Sequence, residues 1–285
     1  MVDASSSSRP PRLVALALAT HPGPAIAVTI VGVVLAIGAG LDAWRVAIAG
    51  LALLFDQASV GLSNDWIDAE RDRSVGRRDK PVARGWVAPS VARGAAFCSA
   101  ALAIVLTLPL GWPATLAHVV ALGSAWEYNV WLKKTPISVL PYIVSFGILP
   151  LIITLARPEP AIASWWAIAA GSLLGVSAHF SNVLPDFAED SATGVRGLPH
   201  LLGRTVSAIV IGLSLATGSF LIALGSASAT NSLPWIAFAV EAILAVSATA
   251  LAIARPPRRL LFQIIIVAAL LNVAMLACAG ARLYS

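Results

Sequence analysis

The chain has 285 residues, 58% of them hydrophobic and only 12% charged, with a mean hydropathy of +0.85. These values exclude a soluble globular domain and point to an all-α, polytopic membrane protein. The basic balance, net +5, is therefore read as membrane orientation and anionic ligands rather than nucleic-acid binding. The two cysteines, Cys98 and Cys278, lie in apolar runs without metal-ligand spacing, and they support no disulfide assignment.

Residues 1–12 are polar and expected to be a disordered cytoplasmic N-terminus, with 13–285 forming one membrane domain. Nine apolar segments follow, at about 23–40, 44–63, 90–109, 113–130, 136–155, 162–181, 204–225, 233–254 and 260–281, each near the ~20 residues that a membrane-spanning helix needs. If the segments alternate across the membrane, one side collects all but Arg45, Arg157 and Arg282 of the 19 Lys and Arg residues. The positive-inside rule then puts the N-terminus in the cytoplasm and the C-terminus outside.

The second segment ends in Asn64-Asp65-Trp66-Ile67-Asp68-Ala69-Glu70-Arg71-Asp72. At 100° per residue, Asn64, Asp68, Asp72 and Asp65 fall at roughly 0°, 40°, 80° and 100° of one helix face, with Glu70 on the other. Like charges at this spacing repel, and at a helix C-terminus they also oppose the dipole. The cluster is tolerable if solvent and arginines neutralise it, or if it holds a hard cation such as Mg²⁺, which typically arrives with a phosphate ligand. A long basic stretch follows, containing Arg71, Arg78 and Lys80. Loops of that length tend to act as lids or binding loops.

The fourth segment ends at Tyr128 to Lys133, residues equally suited to an interfacial belt with positive anchors. The sixth ends with His179, Asn182, Asp186 and Asp190, repeating the i, i+4, i+8 spacing, although Pro185 should kink or unwind it. Arg196 follows. Two Asn/Asp helix ends, four helices apart on one side of the membrane, read as two halves of one metal site. Asp56, Asn182 and His179 are candidate cavity-lining residues, because ionisable and strongly polar groups within membrane segments are functional candidates by default. A helix–helix hydrogen bond is the alternative for each.

In this order the elements resemble the UbiA superfamily of intramembrane prenyltransferases. Its N-D-x-x-D-x-x-x-D motif is present as Asn64, Asp65, Asp68 and Asp72. Asp79 to Gly85 is similar to the R-P-(I/L)-x-x-G loop, with Lys80 in the Arg place, and Tyr128 to Lys133 to the Y-x-x-x-L-K element. Asp186 and Asp190 match the second motif, and Gly194, Arg196 and Leu198 the element after it. The resemblance implies nine transmembrane helices around a central cavity with a cytoplasmic cap. It also implies two Mg²⁺ ions held by Asn64, Asp65, Asp68, Asp72, Asp186 and Asp190, with Asp68, Asp72, Asp186 and Asp190 catalytic. Arg71, Arg78, Lys80, Tyr128, Lys133 and Arg196 would bind the diphosphate of an isoprenyl diphosphate whose prenyl group passes to a lipophilic, aromatic acceptor. The first apolar segment departs from several branches in having no Arg or Asn for an acceptor carboxylate. A UbiA-type terpene cyclase, a phosphoribosyl/polyprenyl-phosphate transferase and a cation transporter are the alternatives.

Overall fold

A computed structural model describes residues 10–77, 79–185, 187, 190, 194–228, 231–254 and 259–284. Among them the chain is all-helical, with two isolated β-bridges, Ala163–Tyr284 and Ser228–Asn231. The helices are α1 (Arg12–Ala19), α2 (Pro22–Gly38), α3 (Ala43–Ile67), α4 (Ala69–Ser74), α5 (Pro89–Thr107), α6 (Trp112–Val130) and α7 (Leu140–Leu155). They continue with α8 (Trp165–Val183), α9 (Leu198–Ser226), α10 (Leu233–Ala254) and α11 (Arg259–Cys278). Each of the nine apolar segments is thus a helix, and α1 and α4 are additions. Among the described residues four helices, α3, α5 with the 3₁₀ turn that follows it, α9 and α10, are long and apolar enough to cross a bilayer, and α1 with α2 reaches that length only as a pair bent by 61° at the break between them.

Sequence punctuation explains most boundaries. Proline in the first turn opens α2, α5, α6, α7, α9 and α10, where its missing N–H costs no helical hydrogen bond. The α1–α2 break falls at His21, whose backbone is left-handed (φ 53°). α9 starts at Leu198, earlier than the hydropathy predicts, and tolerates a non-helical Gly203 (φ 80°, ψ 167°). α8 stops at Val183 and turns through Leu184 and Pro185, with Leu184 itself still at helical angles (φ −55°, ψ −41°).

Neighbours in sequence are mostly neighbours in space. α3 packs on α2, α5 and α6, then α6 to α11 pack each on the next, and α11 packs back on α2. The main core joins Leu35 and Ala36 of α2, Leu53 of α3, Leu149 and Ile153 of α7, Trp166 and Ala170 of α8, Ile222 of α9 and Leu276 of α11. In lipid the hydrophobic effect does not hold helices together, so close backbone approach matters more. Gly171 and Gly175 of α8 lie against the carbonyls of Phe146 and Tyr142 of α7, where an added Cβ would overlap backbone. Gly175→Val should therefore push the two helices apart and lower stability by about 1–3 kcal/mol, read as a reduced thermal midpoint in detergent.

The three arginines at the sparsely charged end are all engaged. Arg45 donates to Ala156 O, at the end of α7, at 2.7 Å, and Arg282 donates to Ser226 O, at the end of α9, at 2.7 Å. Arg157 stacks on Tyr284. Cations at helix C-termini satisfy orphan carbonyls and the negative dipole end.

Candidate active site

The first acidic motif straddles a helix junction. α3 ends at Ile67 and α4 begins at Ala69, with Asp68 capping both. Helical register nonetheless continues, since Asp68 N donates to Asn64 O at 3.0 Å and Asp72 N to Asp68 O at 2.8 Å. Asp65, Asp68 and Asp72 are all buried on this face, and Glu70 is exposed.

Three cations from separate segments meet them. Lys133, in the 3₁₀ turn Leu132–Lys134 after α6, reaches Asp68 Oδ1 at 2.6 Å. Arg71 Nη2 bridges Asp68 Oδ2 at 3.0 Å and Asp72 Oδ1 at 3.1 Å. Lys80 Nζ donates to Asn64 Oδ1 at 2.7 Å and lies 3.1 Å from His21 Nε2. Lys133 is only 5% exposed. Burial pushes its ammonium down from the usual lysine range, with Asp68 pulling the other way. At the loop's outer edge, a hydrogen bond from Arg77 holds Asp79 down at about 2.

The loop after α4 is fastened over this helix end. Val82 N–H donates to Asp65 Oδ2 at 3.1 Å. Val82 and Val87 pack with Ala15 of α1, Ala69 of α4 and Ala92 of α5. α1 owes its place to Gly61 of α3, which lies against the Thr20 carbonyl at the α1–α2 break and leaves no room for a Cβ. That contact sets His21 beside Lys80.

Asn129 of α6 is a link the sequence did not single out. It donates to Ser63 Oγ at 2.8 Å and Val60 O at 2.9 Å, and accepts from Asn64 Nδ2 at 3.3 Å. A buried amide beside Tyr128 on an apolar helix was the available signal, because such a group must find partners.

On the α8 side, Tyr128, Tyr142 and His179 form an aromatic cluster with ring centroids 5.0–5.7 Å apart. His179 Nε2 is 3.0 Å from Ser138 Oγ, which also accepts from Leu198 N–H at 2.8 Å. Gly197 sits against the Lys133 carbonyl, so the segment after the second motif is built onto the turn carrying Lys133. Asp190 lies 3.9 Å from His200 Nε2. Asn182 is exposed, 3.5 Å from Tyr142 Oη, and Arg196 is exposed in the turn before α9. Asp186 and Arg78 lie outside the described residues. Asp56 lines a separate part of the interior, a small cavity of about 40 Å³ between α2, α3, α6 and α7.

As a cation site, the first motif offers oxygen donors alone, the chemistry hard divalent ions prefer. Asp65 Oδ1 and Asp72 Oδ2 are buried without a hydrogen-bond partner. Among the described residues, no three His, Cys, Asp or Glu side chains converge closely enough to hold an ion by themselves. Substrate oxygens and the second motif would have to complete the coordination.

Residues 25–260 match the UbiA prenyltransferase family, and the chain belongs to that family. It is 27% identical over 229 residues to the 4-hydroxybenzoate octaprenyltransferase of Ralstonia nicotianae, covering 79% of this chain and 72% of that one. It is 28% identical to the digeranylgeranylglyceryl phosphate synthase of Pyrococcus horikoshii over 172 residues, covering 56% of this chain and 57% of the relative. Among solved structures, a UbiA homologue from Archaeoglobus fulgidus bound to GPP and Mg²⁺ superposes with a TM-score of 0.70 over 94% of this chain and 99% of that one. At 14% identity, that likeness speaks for the fold. The protein is a multi-pass membrane enzyme, a prenyltransferase, and its chemistry is isoprenyl transfer.

Proposed function

We propose that the enzyme transfers an isoprenyl group from an isoprenyl diphosphate to a lipophilic, aromatic acceptor, with Mg²⁺ held between the acidic motifs and the diphosphate. The carrying observation is the first motif itself. Three buried carboxylates and an Asn share one helix end, two carboxylate oxygens lack partners, and cations from three segments surround them. The named ligands of the Archaeoglobus structure, GPP and Mg²⁺, support the same assignment.

In this reading Asn64, Asp65, Asp68, Asp72, Asp186 and Asp190 hold two Mg²⁺ ions. When bound, the ions neutralise the diphosphate and stabilise charge on the departing oxygen. Lys133, Arg71, Lys80, Arg78 and Arg196 bind phosphate oxygens, and the Tyr128 hydroxyl donates a hydrogen bond. The allylic C–O bond breaks with its electron pair leaving on diphosphate. The acceptor carbon then bonds to the allylic carbon and loses a proton. The apolar interior keeps water from the allylic cation, and the loop over Asp65 serves as the lid. All nine apolar helices cross the membrane in this proposal, with the site at the cytoplasmic end, as the charge asymmetry indicates.

The test uses purified protein in lipid nanodiscs with geranyl, farnesyl and geranylgeranyl diphosphates and a panel of phenolic and quinol acceptors. EDTA should lower product formation on the order of a thousandfold, and Mg²⁺ should restore it. Transfer that continues unchanged in EDTA would refute the metal assignment.

A further inference from the structure

Eight residues, about 12 Å of helix, separate Asn64 from Asp56 on α3. Asp56 lies in the wall of the cavity bounded by α2, α3, α6 and α7, which Gln57, His118 and Ser145 also line among apolar side chains such as Leu53, Phe146 and Leu149. It is 6% exposed, and its Oδ1 is buried without a hydrogen-bond partner. Gln57 Nε2 donates to its other oxygen at 2.7 Å. Facing Oδ1 at 3.5 Å is His118 Nε2 of α6, from a side chain only 1% exposed.

The hydrogen-bond order around His118 can be followed outward from Thr107. The Thr107 hydroxyl donates to Ala103 O at 2.8 Å, and its oxygen lies 2.7 Å from His118 Nδ1. With its proton committed, that oxygen accepts from Nδ1–H. In the neutral imidazole, His118 Nε2 and Asp56 Oδ1 are then two acceptors facing one another at 3.5 Å. Buried acceptors without a donor are costly, and a hydroxyl hydrogen entering the cavity supplies one. Neither Lys nor Arg lines the cavity. A carboxylate placed beside Asp56 would be repelled with nothing to offset it.

We infer that Asp56 and His118, with Gln57 behind them, bind the hydroxyl of a neutral acceptor, a phenol or hydroquinone without a carboxylate, and hold its ring towards the allylic carbon. The inference rests on the prenyl-transfer reading above and names its acceptor class. Asp56 is thereby the specificity-determining residue.

The experiment compares two acceptors sharing a ring, 4-methylphenol and 4-hydroxybenzoate, on nanodisc-embedded protein with Mg²⁺ and each prenyl diphosphate. Binding of a non-hydrolysable prenyl thiolodiphosphate is read separately. The unmodified protein should favour the neutral phenol in kcat/KM by at least about 10-fold. Asp56→Asn and, independently, His118→Gln should raise the KM for that phenol about 10- to 100-fold. Thiolodiphosphate affinity should stay within about twofold. Gln57→Arg should move the preference towards 4-hydroxybenzoate. The proposal is overturned if the unmodified protein prefers 4-hydroxybenzoate. It is equally overturned if both variants depress all acceptors and the thermal midpoint together without moving KM, the behaviour of a pair that merely ties α3 to α6. Absence of Mg²⁺-dependent thiolodiphosphate binding by the unmodified protein would instead defeat the prenyl-transfer reading beneath it.

Discussion

Asp68→Asn is expected to lower prenyl-transfer turnover by at least about a thousandfold while leaving a helical protein. Asp68 is where the first motif converges. One carboxylate oxygen receives Lys133 at 2.6 Å, and the other receives Arg71 at 3.0 Å and Asn64 at 3.2 Å. It sits at the C-terminal end of α3, where the helix dipole adds negative potential. The amide keeps the volume and some hydrogen bonding but loses the charge, so the substitution separates charge from packing. Product formation by mass spectrometry and circular dichroism on the same preparation decide the outcome. Glu70→Gln is the matched control, because Glu70 is exposed on the opposite face, and its turnover should stay within about twofold. Near-normal turnover in Asp68→Asn would remove Asp68 from the catalytic assignment.

Lys133→Met should produce the other large effect, and on two quantities at once. The pair it forms with Asp68 is buried on both sides, each side chain 5% exposed. Removing one partner from a buried ion pair leaves an uncompensated charge and costs about 3–5 kcal/mol. Arg71 remains on Asp68, which places the expected loss at the lower end of that range. Turnover should fall on the order of a hundredfold as a phosphate contact is lost. The double variant Asp68→Asn/Lys133→Met should recover most of the stability and none of the activity, because neutral groups of similar volume replace the pair. Thermal midpoints of the four proteins in one detergent test this. Strictly additive destabilisation would show that the two residues do not form a buried couple. Lys134→Met, one residue away but exposed, should change neither quantity appreciably.

The contrast between Lys133 and Lys134 shows the limit of reading such a site from residue order. Both are equally basic and equally suited to anchoring a helix at the membrane edge. A 3₁₀ turn after α6 sends one inward and the other out, and that choice depends on α3 being alongside. Lys80 is a similar case. Its place in a basic loop marks it as a phosphate ligand, but its contact with Asn64 requires Val82 to be fastened to Asp65 and α1 to be folded against Gly61. Asn129, Ser138 and the pairing of Asp56 with His118 join positions 41 to 66 residues apart, beyond the reach of any local periodicity.

The sequence by itself determined what depends on short-range order. Runs of apolar residues near the length of a bilayer crossing made helices of all nine segments, since a backbone in lipid must satisfy its own hydrogen bonds. The spacing of Asn64, Asp65, Asp68 and Asp72 put them on one face because 3.6 residues per turn allow little else. The tertiary structure alone decided which cations turn inward, where the chain breaks at His21 and Gly203, and which carboxylate oxygens are left without partners. Those outcomes arise from packing between helices distant in sequence, where a glycine that admits a backbone or a buried amide that needs a partner selects one arrangement among many.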